Sequence, residues 1–351
     1  MTKEEKINAF DPSGVGLKNG NFIGLPFDEA DAEVVLMPVP WDVTVSYSAG
    51  TATGAENILD ASSQLDLFDH DVKNAWKMGL YMRPLDQNCL QKSNALRSKS
   101  ELYIDFLENG GDVNNDDEMT QRLREINDGC DDLREWVYTE TKKILDSGKL
   151  VGLVGGDHST PLGYLQALAE RYDSFGILHF DAHLDLRKAY EGFQYSHASI
   201  FYNALKIPQM KRMVSVGIRD YCEEEVELIE NSGSRIQVFY DSYLKKQVFK
   251  GIPLYSIYQN MIDMLPKNVY ISFDIDVLTP HLCPNTGTPV PGGLEFQEAM
   301  FLLKCVLDSG RKIIGFDLSE TAAVGNEWDG NVAARILYKL ANVMGKSQGR
   351  I

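Results

Sequence analysis

Seven short apolar runs punctuate the chain and set what it can fold into. They are EVVLMPVP (Glu33–Pro40), KLVGLVGG (Lys149–Gly156), FGILHFD (Phe175–Asp181), RMVSVG (Arg212–Gly217), RIQVFY (Arg235–Tyr240), NVYISFD (Asn268–Asp274) and KIIGFD (Lys312–Asp317). Most are nearly continuous rather than alternating, the pattern of strands covered on both faces. Helical segments lie between them, among them PLGYLQALAERY (Pro161–Tyr172), EEEVELIENSG (Glu223–Gly233) and LEFQEAMFLLKCVLDSG (Leu294–Gly310). The last two end in a glycine suited to a helix C-cap. Such alternation predicts an α/β fold with a mostly parallel sheet between helices.

The pattern changes between 86 and 147, where a helical stretch, the acidic loop GDVNNDDEMT and a second long helical stretch follow one another. No Pro/Ser-rich linker sets this segment apart, so residues 1–351 read as one domain carrying a helical insertion. A chain of 351 residues is long enough to bury a substantial core. Its 51 acidic and 34 basic residues give a formal charge of −17, which argues against nucleic acid or an anionic membrane as partner. Small cationic substrates are compatible with that charge.

Five scattered cysteines (Cys89, Cys130, Cys222, Cys283, Cys305) form neither a C-x-x-C pair nor a disulfide framework. They read as reduced thiols of a cytoplasmic protein. The opening MTKEEKINAFDPSG is charged where a signal peptide needs an apolar centre, and no apolar run approaches a membrane span.

Three of the predicted strands end in similar chemistry. VGGDHS supplies Asp157 and His158, FDAHLD supplies Asp181, His183 and Asp185, and SFDID supplies Asp274 and Asp276. In a parallel sheet all carboxyl ends share one edge, where ligands bind. Side chains two apart on extended backbone point the same way, so D-x-H-x-D and D-x-D each aim their members at one place.

Carboxylates gathered in a cleft repel one another and resist ionisation unless a cation compensates. Mixed His and carboxylate donors suit first-row metals such as Mn²⁺, Fe²⁺, Ni²⁺ or Zn²⁺ better than Ca²⁺ or Mg²⁺. A two-metal hydrolytic centre is the arrangement this donor set predicts. Taken singly, SFDID reads equally well as a strand end with solvated aspartates and DAHLD as a hydrogen-bonded turn. Three such ends on one sheet edge favour the metal site. Asp157, beside His158, is expected to fix the loop rather than to ligate.

These motifs resemble, in order along the chain, those of the arginase/agmatinase/formimidoylglutamase superfamily, the ureohydrolases. The matching stretches are PVPWDVTVSYSAGTATGAENILDAS (38–62), GGDHS (155–159), FDAHLDLR (180–187), YSHASIF (195–201), SFDIDVLTP (272–280), TGTPVPGGL (286–294) and FDLSET (316–321). The resemblance implies a three-layer α/β/α fold, usually trimeric or hexameric, with two Mn²⁺ ions. It places His158, Asp181, Asp185 and Asp274 on one ion and Asp181, His183, Asp274 and Asp276 on the other. By the same resemblance Asp185 orients the attacking hydroxide, His197 shuttles a proton and Glu320 accepts the guanidinium N–H groups.

Substrate choice stays open at this stage. Arg187 departs from the arginase pattern, resembles formimidoylglutamases, and either pairs with a substrate carboxylate or braces the metal loop. His197 and TGTPVPGG instead resemble guanidino-cleaving members, which makes agmatine, arginine or guanidine the favoured class, with Ni²⁺ as an alternative metal. Trp41, Tyr47, Phe193, Tyr195 and Trp328 either wall a cation pocket or serve as packing aromatics. Rival readings are formimidoylglutamate hydrolysis, a phosphoesterase, or an inactive partner subunit. Phosphate binding would call for more basic residues than Arg187 and Lys188 near the motifs.

Overall fold

A computed structural model describes residues 1–323 and 327–351. Eight strands form one sheet: β1 (Val34–Val39), β2 (Leu80–Met82), β3 (Leu150–Gly155), β4 (Phe175–Phe180), β5 (Met210–Val216), β6 (Ile236–Phe239), β7 (Asn268–Asp274) and β8 (Lys312–Ser319). Their order is β2-β1-β3-β8-β7-β4-β5-β6 and every pairing is parallel. The seven apolar runs correspond to β1 and β3 through β8. The eighth strand, β2, is a three-residue edge strand that ends just before Pro84.

Alternate strand residues enter two separate cores, as the period of two requires. On one face Val34, Leu36, Leu178, Phe180 and Ile271 pack with Ile58, Leu303 and Leu337. On the other, Val35, Met37, Phe175, Ile177 and Tyr270 pack with Ile126, Leu133, Val137 and Leu165. Helices cover both faces, giving the three-layer sandwich.

The segment 86–147 supplies two of the helices on the second face, Gln87–Glu108 and Asp117–Asp146. Each starts at an aspartate N-cap: Asp86 accepts from Cys89 N and Asp116 from Met119 N. Gly129 allows them to approach closely, since a side chain there would meet Leu96 Cδ1 at 2.3 Å. The helices Glu223–Asn231 and Phe296–Asp308 are followed two residues later by Gly233 (φ 64°) and Gly310 (φ 73°), in the left-handed region expected past a helix end. Among the described residues no helix is long and apolar enough to cross a membrane.

The topology decides where a ligand goes. The chain leaves β3 and reaches β4 across the width of two strands, β8 and β7, that are added later. The carboxyl ends of β3, β8, β7 and β4 are therefore consecutive neighbours, and a crevice opens where the winding reverses.

Candidate metal centre

Each of those four strands delivers polar groups at its carboxyl end. After β3, Gly156 brings the chain so close to the loop after β1 that a side chain would meet Trp41 O at 1.9 Å. Asp157 N donates to Trp41 O, and Asp157 Oδ1 accepts from Ser159 N at 3.0 Å, which folds the turn and aims His158 at the crevice. Asp157 thus shapes the loop, as expected. Burial pushes its carboxyl up to about 7. Asp185 and Glu320 both adopt positive φ, 54° and 62°, a conformation non-glycine residues hold only where the surroundings enforce it. Phe201 N donates to Asp185 O, and Thr286 Oγ1 to Glu320 O, fixing both bends.

The aspartates divide their oxygens in a consistent way. Asp181 Oδ1 accepts from His183 N at 2.6 Å, Asp274 Oδ1 from Asp276 N at 2.8 Å, and Asp276 Oδ1 from Ala182 N at 3.0 Å. The second oxygen of each faces a histidine. His158 Nδ1 lies 3.0 Å from Asp181 Oδ2, 3.1 Å from Asp185 Oδ2 and 3.3 Å from Asp274 Oδ2. His183 Nδ1 lies 3.0 Å from Asp276 Oδ2 and 3.5 Å from Asp181 Oδ1. Asp181 therefore reaches both histidines with different oxygens. All six residues singled out as ligands in the sequence converge.

His158 Nδ1 is buried and, although three carboxylate oxygens surround it, none meets it with hydrogen-bond geometry. Its tautomer follows from the other side of the ring. Ser272 Oγ donates its only proton to Asp317 Oδ1 at 2.7 Å, so at 2.9 Å it accepts from His158 Nε2–H. In the neutral ring that leaves a lone pair on Nδ1 directed among carboxylates, the donor set of a transition-metal ligand sphere; with no cation there, Asp181, Asp185 and Asp274 outweigh burial and raise the His158 pKa well above its ordinary value. The residues present fit a pair of divalent cations.

Electrostatics give the same answer. Burial raises Asp185 to about 7, and the Asp181 charge adds to this. Burial with the charges of Asp276 and Asp181 raises Asp274 well above the carboxylate range. Burial acts on Asp181 too, yet the surrounding histidines His179, His158 and His183 hold it well below that range. Without added positive charge the carboxylates cannot all ionise together.

Sequence reasoning missed three supporting residues. His179 on β4 is fully buried, its Nε2 2.8 Å from Asp181 Oδ2 and its Nδ1 3.1 Å from Ser215 Oγ. Burial lowers its pKa, so a neutral ring donates from Nε2 to the aspartate. The signal was available, because His179 shares the alternation of Asp181, His183 and Asp185. Ser272 and Asp317 sit on β7 and β8 and orient His158; only pairing of those strands reveals them.

A cleft of about 190 Å³ opens beside the cluster, lined by His183, Asp185, Arg187, Tyr190 and His197 among others. His197 stands on its wall. Its Nδ1 is buried without a hydrogen-bond partner among the described residues, and burial together with the nearby His183 and His158 lowers its pKa to about 3. Glu320 sits behind His158, Oε1 accepting from His158 N at 2.9 Å. A side chain at Gly287 would stand 3.4 Å from Glu320 Oε2. Of the aromatics named from sequence, Trp41 and Phe193 are core residues, Tyr47 is 79% exposed, and Trp328 Nε1 donates to His281 O. Tyr190 and Tyr221 line the cleft instead.

The profile of the Arginase family matches residues 32–342. The chain belongs to the arginase family. It is an enzyme of the ureohydrolase type. Among its relatives, the N(1)-aminopropylagmatine ureohydrolase of Thermus thermophilus is 32% identical over 324 residues, covering 92% of this chain and 94% of that protein. The agmatinase of Bacillus subtilis is 28% identical over 320 residues, covering 90% and 92%. The proclavaminate amidino hydrolase of Streptomyces clavuligerus shares the fold with a TM-score of 0.70 at 22% identity, covering 95% of this chain and 100% of that one. The arginase-type sandwich anticipated from the motifs is the fold it shares with that solved structure.

Proposed function

We propose that this arginase-family enzyme hydrolyses the amidino C–N bond of a small guanidino compound, releasing urea and an amine or ammonia, within one domain spanning 1–351. The observation that carries the reading is the division of Asp181 between His158 and His183, with the orphaned Nδ1 of His158 facing three carboxylates. His158, Asp181, Asp185 and Asp274 would hold one divalent cation, and Asp181, His183, Asp274 and Asp276 the other. Mn²⁺ is the proposed ion and Ni²⁺ the alternative. When bound, such ions neutralise the carboxylates and lower the pKa of water enough to supply a nucleophile near neutral pH.

The chain's own residues do the rest. Asp185, bent by its positive φ toward His158, orients the nucleophile. Glu320 offers a carboxylate to the substrate's N–H groups, a charge-assisted pairing. His197, on the cleft wall with Nδ1 unpaired among the described residues, carries a proton to the departing amine. Five free thiols support a reducing, cytoplasmic setting. A homo-oligomer, trimer or hexamer, is part of the proposal and is read from the solution mass.

The test is urea release from guanidino compounds by protein stripped with chelator and reloaded separately with Mn²⁺ and Ni²⁺. Activity that disappears with the metal and returns with it is the expected result. Formamide from formimidoylglutamate, with no urea from any guanidine, would overturn the substrate class.

A further inference from the structure

Arg187 follows the metal cluster on the same cleft wall as Asp185 and His197. Its backbone N–H donates to Ala198 O at 3.0 Å, which ties the residue to the loop bearing His197. Its guanidinium lies over the ring of Tyr190, Cζ 4.9 Å from the centroid. The ring of Tyr190 in turn stands edge-on to His197, 6.2 Å between centroids. The side chain is half-buried and held in a fixed orientation by an aromatic face.

What sets Arg187 apart among the described residues is that its guanidinium meets a ring face but no hydrogen-bond acceptor. Every other arginine makes at least one side-chain hydrogen bond to protein: Arg83, Arg97, Arg122, Arg124, Arg134 and Arg171 to side-chain oxygens, the rest to carbonyls or carboxylates. Among the described residues, Arg187 has neither a hydrogen-bond nor an ion-pair partner for its guanidinium. A planar fork of five donors, pre-oriented and left open on a substrate cleft, matches a carboxylate bidentately.

Besides Asp185 of the metal cluster, the cleft is lined by two acids, and neither competes. Glu225 spends both oxygens on backbone donors, Leu186 N and Cys222 N, each at 3.0 Å. Asp220 is exposed at the rim, where water competes with any ion pair it forms. A substrate with a second cationic group would bring that charge against Arg187; one with an anionic tail would complete it.

We propose that the substrate is a guanidino acid whose carboxylate is bound by Arg187. This rests on the guanidino-hydrolase reading above and adds the charge of the tail. It sets the chain apart from those relatives whose names specify agmatine or aminopropylagmatine, compounds with cationic tails.

Two probes of matched length and opposite tail charge decide the matter: 4-guanidinobutanoate and agmatine, each assayed for urea release by metal-loaded protein. The expected result is a kcat/KM favouring the acid by about tenfold or more. Arg187→Gln should lower kcat/KM for the acid by about tenfold or more, mainly through KM, and collapse the acid-to-amine ratio. Arg187→Lys, which keeps the charge and loses the fork, should fall between. Because the readout is a ratio on one preparation, partial unfolding of a variant does not mimic it. Urea from agmatine in preference to the acid, or a ratio unmoved by Arg187→Gln, overturns the tail assignment while leaving the guanidino-hydrolase reading intact. No urea from any guanidine with two metals bound overturns both.

Discussion

Replacing Asp185 with asparagine should stabilise the metal-free protein and destabilise the metal-loaded one. Asp185 is 6% exposed and 3.1 Å from His158 Nδ1. Burial and the Asp181 charge raise its carboxyl from 3.8 to about 7. At about 1.4 kcal/mol per pKa unit, holding this group ionised inside the fold costs about 4 kcal/mol before the site relaxes. Asparagine keeps the shape without the charge. Allowing for relaxation and for desolvation of the amide, Asp185→Asn should gain about 2 kcal/mol at about pH 8 in chelator-treated protein. The sign follows from the direction of the shift. A carboxyl whose folded pKa is raised is protonated in both states below 3.8, so variant and parent have similar stability at about pH 4. The parent's disadvantage then grows between 3.8 and about 7 and stays constant above. With Mn²⁺ present the order reverses, because the variant has lost a ligand. Urea denaturation at both pH values, with chelator and with Mn²⁺, measures all four stabilities. Equal metal-free stabilities at about pH 8, or a difference that ignores pH, would refute the claim that charge crowding shapes this centre.

Three further outcomes follow from the same geometry. Ser272→Ala removes the hydroxyl between His158 Nε2 and Asp317, so calorimetric titration should show metal affinity weakened by roughly 10–100-fold; an unchanged affinity would remove Ser272 from the account. His197→Ala should lower kcat by roughly 10²–10⁴ with two metals still bound, whereas loss of metal would recast the residue as structural. Gly156→Ala places a methyl 1.9 Å from Trp41 O and should destabilise the fold by roughly 3 kcal/mol. A thermal midpoint equal to the parent's would contradict that.

The sheet was legible because its strands are buried on both faces and therefore read as apolar runs. β2 escaped because three residues, Leu80–Met82, carry no period. The cluster was legible because its spacing encodes direction: Asp181, His183 and Asp185 alternate in sequence, as do Asp274 and Asp276. His179 continues that alternation inward, but a histidine inside an apolar run reads as core until its neighbour Ser215 on β5 is known. Ser272 and Asp317 escaped for a deeper reason. They act on His158 only because β8 and β7 lie between β3 and β4, and strand order is a long-range property that local patterns do not carry. The motif-loop aromatics could not be divided between pocket and core from sequence: Trp41 is fully buried, and Tyr190 lines the cleft.

The central claim is that two divalent cations share Asp181, and metal content measured alongside activity tests it most directly. Purified protein loaded with Mn²⁺ and freed of excess should carry two ions per chain and release urea. Asp181→Ala removes a side chain whose two oxygens face His158 and His183 separately, so it should lose metal and activity together. Two ions retained by that variant, with urea still released, would contradict the account.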